Sequence, residues 1–236
     1  MAEFSVLIPV YNEEEVLAGN VSKLMNYLES QGLYDYFIIV CSNGSTDSTD
    51  RIGGDLESKY PGRFKFISIP QRGVGLAFRE MVLSCQTEKL VSIDVDLSSD
   101  LGYIPQCVKL LDESSVVIGS KRKGAQERQW YRLFISGVFI GLVRVLLGLR
   151  FDDYSIGTKG WRRSDIVDYA GSIDYGSSYV IELVYYANRA GKHISVVPVF
   201  CNDTRASRFN IVHEIVYRFR NLIRLWWRVK VAKKIG

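Results

Sequence analysis

Two aspartates one residue apart, Asp94 and Asp96, follow directly on the apolar run Leu90-Val91-Ser92-Ile93. A short buried strand that ends in carboxylates presents them at the C-terminal edge of a sheet, where open parallel sheets bind ligands. On an extended backbone residues i and i+2 point to the same side. Two hard oxygen donors converging there suit Mg²⁺ or Mn²⁺ bridging the phosphates of a substrate. A surface turn uses the same residue types, so the surroundings decide. A basic loop, Ser120-Lys121-Arg122-Lys123-Gly124, closes the apolar run Val116 to Gly119 and would reach the same edge. Two more polar loops are dense in charge: Asp152 to Arg163, with Asp153 and Lys159, and Asn202 to Arg208, with Arg205 and Arg208. Loops of this type at the mouth of a sheet tend to carry function.

The elements that must position these groups alternate. Phe4 to Val10 reads as a strand that Pro9 brings to a turn. Asn12 is expected to cap a helix whose first turn carries Glu13, Glu14 and Glu15, and Val16, Leu17, Val21, Leu24, Met25 and Leu28 recur at helical spacing. Further strands are expected at Phe37 to Cys41, Phe64 to Ile69, Val116 to Gly119 and Ile194 to Phe200, and helices at Leu76 to Cys85 and Tyr179 to Ala190. Strand–helix alternation predicts an α/β fold, a mostly parallel central sheet with helices on both faces. The apolar segment Trp130 to Leu149, broken by Arg144, suits a buried core helix or a half-exposed helix in contact with lipid. It is too short and too interrupted to span a bilayer.

The 236 residues, 47% hydrophobic, allow one large domain with an appendage, divided as 1–210 and 211–236. No spanning segment and no signal peptide are expected. Cys41, Cys85, Cys107 and Cys201 lack metal-ligand spacing, which suits reduced, buried thiols in a cytosolic protein. With only His193 and His213, a histidine metal site or triad is improbable. The net charge of +4 is uneven: residues 211–236 hold seven basic residues and one acid, leaving the other 210 residues at −2. In that tail Ile211, Val212, Ile215, Val216, Phe219, Leu222, Ile223 and Trp226 keep one helix face, with arginines beside it. An amphipathic helix of this kind, with Trp226-Trp227, fits a membrane interface. It equally fits a helix packed on its own domain or a dimer contact. Nucleic acid is not expected, because so wide an apolar face is wasted on a phosphate backbone.

Ser5-Val6-Leu7-Ile8-Pro9-Val10-Tyr11-Asn12-Glu13-Glu14, Asn43-Gly44-Ser45-Thr46-Asp47, Arg72-Gly73-Val74-Gly75 and Ile93-Asp94-Val95-Asp96-Leu97-Ser98 resemble, in order and spacing, the nucleotide-sugar half of inverting family-two glycosyltransferases of the GT-A fold. Ile118-Gly119-Ser120-Lys121-Arg122, the Asp-x-x-x-Gly-x-Lys stretch from Asp153 to Lys159 and Glu182-Leu183 resemble the branch that makes polyprenyl-phosphate sugars, the dolichyl-phosphate mannose and glucose synthases. The resemblance covers about residues 4 to 210. It implies that Pro9, Val10, Tyr11 and Glu13 hold the nucleoside, with Ser42 and Asn43 beside the base and Gly75 and Val95 at the nucleotide sugar. It implies that Asp94 and Asp96, with Ser98 beside them, carry Mg²⁺ or Mn²⁺, and that Lys121 and Arg205 face phosphates. One departure is Ser42-Asn43-Gly44-Ser45 where the family often has Asp-Asp-Gly-Ser, which trades a carboxylate for a hydroxyl and an amide.

The expected reaction is transfer of a hexose from a nucleoside-diphosphate sugar to a polyprenyl phosphate by a peripheral protein on the cytosolic face of a membrane. An acceptor phosphate is already ionised, so no strong general base is needed. Lys121, Arg122, Lys159, Arg205 and Arg208 are the candidates for holding the acceptor phosphate and the donor's β-phosphate, and Asp153 either orients Lys159 or touches the sugar. A transferase acting on a saccharide hydroxyl would need an acidic base, for which Asp153 is the candidate. A non-catalytic subunit that keeps the fold is the other alternative.

Overall fold

The computed structural model describes residues 2–121, 130–154, 156–200 and 211–231. The first half alternates as expected: β1 (Phe4–Val10), α1 (Leu17–Ser30), β2 (Tyr36–Asn43), α2 (Thr49–Lys59), β3 (Phe64–Ile69), α3 (Val74–Ser84) and β4 (Lys89–Ser92). Then come α4 (Tyr103–Leu110), β5 (Val116–Ser120), α5 (Trp130–Leu147), β6 (Lys159–Arg162), α6 (Arg163–Ile166), α7 (Tyr179–Arg189), β7 (Ile194–Pro198) and α8 (Ile211–Trp226), which ends in a π-helical turn, Trp227–Val231. The sheet runs β3-β2-β1-β4-β6-β5-β7. All pairings are parallel except those of β6, which is antiparallel to both β4 and β5.

Alternation along the strands divides the core in two. Val6, Ile8, Ile38, Val40 and Val91 join α1 and α4 on one face. Leu7, Ile39, Leu90, Val116 and Ile118 join α3, α5 and α7 on the other. Burial on both faces is why these strands read as unbroken apolar runs.

Two expectations are corrected. Asn12 does not cap α1: it takes a left-handed conformation, φ 53°, and α1 starts at Leu17. Asparagine tolerates that conformation, and the turn spends its side chain on residue 46 instead, whose N–H donates to Asn12 Oδ1 at 2.8 Å. The stretch 152–163 is not all loop, because its end forms β6 and inserts between β4 and β5. Trp161 is fully buried there, edge-on to Phe78 at 5.7 Å, while the flanking Arg162 donates to the carbonyls of Leu111 and Asp112. Of the alternatives open for the tail, packing on the domain takes part of the apolar face of α8. Leu222 and Leu225 are buried, and Phe219 meets Phe139 of α5 at 5.3 Å. Cys41, Cys85 and Cys107 are free and buried; Cys201 lies outside the described residues.

Candidate active site

The C-terminal ends of β1, β2, β4 and β5 meet along one edge. Val10 at the end of β1 is in register with Ser42 in β2, so the predicted nucleoside-binding residues are neighbours. Tyr11 is half-buried, and the Arg72 guanidinium lies over its ring at 4.1 Å. Asn43 is buried and its amide is engaged at both ends: Nδ2 donates to the Val10 carbonyl at 2.7 Å, and Oδ1 accepts from Gly73 N–H at 3.1 Å. Ser42 is also buried, with its hydroxyl bonded to that of Ser45 at 2.8 Å. Ser42 and Asn43 therefore shape the β1–β2 edge from beneath. Glu13 N–H donates to Thr49 Oγ1 at 2.8 Å, which docks the 11–16 turn on α2. Pro9 is half-buried, next to last in β1.

Asp94 and Asp96 stand in a turn beyond β4, which stops at Ser92. The extended-strand argument for a shared side does not apply; the turn itself, closed by Leu97 N–H to the Asp94 carbonyl at 3.2 Å, brings the carboxylates together. Leu97 is left-handed, φ 52°. A leucine in that region is strained, of the kind that clusters at functional sites. The Asp94 carboxyl keeps partial access to the surface but is enclosed enough that burial, then the charge of Asp96, raises its pKa. Lys121, Lys159 and the Gly157 N–H oppose that rise. Asp96 Oδ1 accepts from Ser98 N–H at 2.9 Å, so Ser98 meets the pair through its backbone. Val95 points into the core, and Asn20 Nδ2 holds its carbonyl at 3.0 Å. Two hard, mutually repelling carboxylates fit a divalent cation, which would remove that repulsion.

Lys121 is half-buried, close enough to Asp94 to lower its pKa. Asp153 is buried, and its two oxygens accept from Lys121 N–H at 3.1 Å and Ile156 N–H at 3.4 Å. It ties the 153–156 turn to the end of β5. Lys159 is fully buried; its Nζ donates to the carbonyls of Ile156, at 2.8 Å, and of Gly119 and Thr158, both at 3.4 Å. Burial pushes its pKa down to about 8 against the pull of Asp153 and Asp94. Lys159 is an internal counter-charge beneath the acids and has no surface on which to meet an acceptor phosphate. Arg122, Arg205 and Arg208 lie outside the described residues.

Gly75 is a contact residue of another kind. Its N–H donates to the Tyr175 carbonyl at 2.8 Å, and a Cβ there would collide with the Asp174 carbonyl. Gly157, absent from the expected site, is needed for the same reason: a Cβ would collide with the Asp94 carboxylate. Its place in the Asp153–Lys159 motif was the available signal. Arg72, quoted only as part of a motif, and the 174–176 segment were not among the expected site residues, since their contacts here are distant in sequence.

α8 leaves Val216, Ile223 and Trp227 exposed, beside exposed Arg220 and Arg224. On α5, Phe134, Val138 and Val145 are exposed opposite the face that buries Phe139, Ile140, Val143 and Leu147. No helix among the described residues is long and apolar enough to cross a membrane.

Residues 5–215 match the family model described as glycosyl transferase family 2. The chain is 26% identical over 239 residues to glycosyltransferase AglD of Haloferax volcanii, covering 99% of this chain and 38% of that protein. It is 26% identical over 224 residues to dolichyl-phosphate beta-glucosyltransferase of Mus musculus, covering 87% of this chain and 69% of that one. It also resembles an undecaprenyl-phosphate 4-deoxy-4-formamido-L-arabinose transferase of Edwardsiella ictaluri, 27% identical over 69% of this chain and 50% of that one. The chain thus spans between about two fifths and two thirds of these relatives' lengths. In fold it is similar to glucosyl-3-phosphoglycerate synthase of Mycobacterium tuberculosis, crystallised with Mn²⁺, uridine diphosphate and phosphoglyceric acid: TM-score 0.68, 21% identity, 96% of this chain and 78% of that one. A second crystal structure of that synthase, with Mg²⁺ and uridine diphosphate, gives a TM-score of 0.67 at 22% identity, again over 96% of this chain and 79% of the other.

Proposed function

The chain belongs to glycosyl transferase family 2, and from that premise we propose that it moves a hexose, with inversion, from a nucleoside-diphosphate sugar to a polyprenyl phosphate at a membrane surface. The observation that carries this reading is the charge arrangement at the end of β4. Asp94, with Asp96 beside it, lies close to Lys121, Lys159 is buried beneath, and Asp153, the acid expected as an alternative base, is buried. Both its oxygens accept from backbone N–H groups, so it holds the turn and presents little surface to a sugar hydroxyl. A phosphate acceptor needs no such base.

In this reading Tyr11, backed by Arg72, and the β1–β2 edge shaped by Asn43 receive the nucleoside. Asp94 and Asp96 are the ligands for Mg²⁺ or Mn²⁺, which when bound would neutralise the charge that grows on the departing diphosphate. Lys121 orients phosphate oxygens, and Arg122, Arg205 and Arg208 are further candidates for that work. Lys159 and Asp153 keep the floor of the site in place. Positioning and charge compensation supply the catalysis. Two relatives whose names specify a dolichyl- or undecaprenyl-phosphate support the acceptor class. The exposed apolar and arginine-bearing edge of α8, with the outer stripe of α5, supports docking on anionic lipid by the residues 211–236.

The test is an acceptor comparison. Purified protein with a panel of nucleoside-diphosphate hexoses and Mn²⁺ is offered polyprenyl phosphate in vesicles or free saccharides. Mass spectrometry should find a glycosyl phospholipid. Product on saccharides alone would reject the lipid acceptor, and no product with any acceptor would favour a non-catalytic subunit.

A further inference from the structure

α8 does more than cover a face of the domain. Asp174, in the turn before α7, accepts from the Tyr217 hydroxyl at 2.7 Å and from Asn221 Nδ2 at 3.2 Å, both on α8. Within its own turn it accepts from the N–H groups of Gly176, at 3.0 Å, and Ser178, at 3.1 Å. Its own N–H donates to Glu182 Oε2 at 2.7 Å, and Glu182 in turn pairs with Arg228 at 2.9 Å, beyond the end of α8. The next residue carries the contact onward. The Tyr175 carbonyl accepts from Gly75 N–H at 2.8 Å and Leu76 N–H at 3.2 Å, two of the otherwise unpaired donors in the first turn of α3. Its N-cap residue, Gly73, has no side chain with which to cap it. Immediately before it, Gly73 N–H bonds Asn43, Asn43 bonds the Val10 carbonyl, and Arg72 stacks on Tyr11. A short series of hydrogen bonds thus runs from α8 to the end of β1.

We infer that Asp174 is a positioning residue for the nucleotide edge: it fastens α8 to the turn whose carbonyl caps α3, and so fixes Arg72 and Gly73 against Tyr11 and Asn43. This rests on the reading that the β1–β2 edge receives a nucleoside diphosphate. The glycines show how rigid the join is. Side chains at Gly73, Gly75 or Gly176 would strike the Tyr175 carbonyl, the Asp174 carbonyl and the Tyr217 hydroxyl, respectively. The contact therefore has little room to re-form in another register. Loosening α8 releases the 174–176 turn, the cap on α3 goes with it, and the surface under Tyr11 loses its fixed shape.

The test uses the full chain. Tyr217→Phe combined with Asn221→Ala removes the α8 bonds to Asp174 and leaves those of its own turn. Titrations of UDP and of GDP with Mn²⁺ are compared for wild type, this variant and Leu28→Ala, which opens a cavity under the C-terminal end of α1, at a residue that takes no part in the series. Amide hydrogen exchange is read at Gly75 and Leu76. The expected result is nucleotide binding about fivefold or more weaker in the double variant, faster exchange at both amides, and neither change in Leu28→Ala. Unchanged affinity and exchange in the folded double variant would overturn the inference alone. A wild-type chain that binds neither nucleotide overturns the functional reading and this inference with it. Should the double variant not fold, Tyr217→Phe by itself, one hydroxyl fewer, carries the same comparison.

Discussion

Asp94 and Lys159 are opposite charges arranged so that each makes the other tolerable. Burial and Asp96 raise the Asp94 pKa, and Lys121 and Lys159 oppose the rise. Replacing Asp94 or Asp96 by Ala should cut sugar transfer at least about a hundredfold, because a metal's charge stabilisation is worth several kcal/mol. Asp94→Ala should also lower the melting temperature, because it takes a counter-charge from the buried Lys159. Lys159 gives a stability prediction of definite sign. Its folded pKa, about 8, lies below the value near 10.4 of an unfolded lysine. Between those pH values the unfolded chain binds the extra proton, so stability rises with pH. Below pH 8 both states are charged and the folded one bears the whole burial penalty. The stability of wild type relative to Lys159→Met should therefore increase from pH 8 to 10, by a few kcal/mol over the full interval, in urea titrations at each pH. A flat difference would mean that Lys159 is not buried as described. The sequence made the acids legible through their spacing. It gave no sign that Lys159 is internal, since a lysine in a charged loop reads as solvated.

At the scale of elements, legibility followed burial on two faces. β1 through β5 and β7 announce themselves because a strand covered on both sides is an apolar run. β6 does not: Lys159-Gly160-Trp161-Arg162 has a single large apolar residue, and its charges are satisfied by carbonyls just beyond α4, on β5 and in the 156–158 turn. α4 carries Pro105 in its first turn and spans only eight residues, too few for a period to show. Trp161→Ala should cost roughly 3–5 kcal/mol in chemical denaturation, the usual loss for a buried aromatic. Gly75→Ala tests the seam between α3 and the 174–176 turn. The added methyl meets backbone, which has little freedom to yield, so a loss of about 1–3 kcal/mol is expected from overpacking. A neutral Gly75→Ala would mean that the turn can shift.

For the molecule as a whole, the tail is where sequence reading was half sufficient. Its periodicity identified one amphipathic helix, but two partners compete for the apolar face, and only the fold shows that Leu222 and Leu225 go to the domain while Val216, Ile223 and Trp227 remain outside. Removing residues 211–236 would therefore strip a buried face from α5 and α7 as well as any docking surface. Charge reversal is the cleaner probe. Arg220→Glu with Arg224→Glu should lower partitioning onto phosphatidylserine vesicles about tenfold or more, given roughly 1 kcal/mol for each basic residue at an anionic leaflet. Equal partitioning of both proteins in sedimentation assays would remove α8 from the docking surface. Every part of the account depends on the edge beyond β4 gripping a nucleoside diphosphate through a cation. Diffraction from crystals grown with Mn²⁺ and UDP or GDP tests this directly. The account predicts an anomalous manganese peak coordinated by an oxygen of Asp94 or Asp96 and by the diphosphate, with the base against Tyr11. A nucleotide bound elsewhere, or a peak remote from both aspartates, would contradict it.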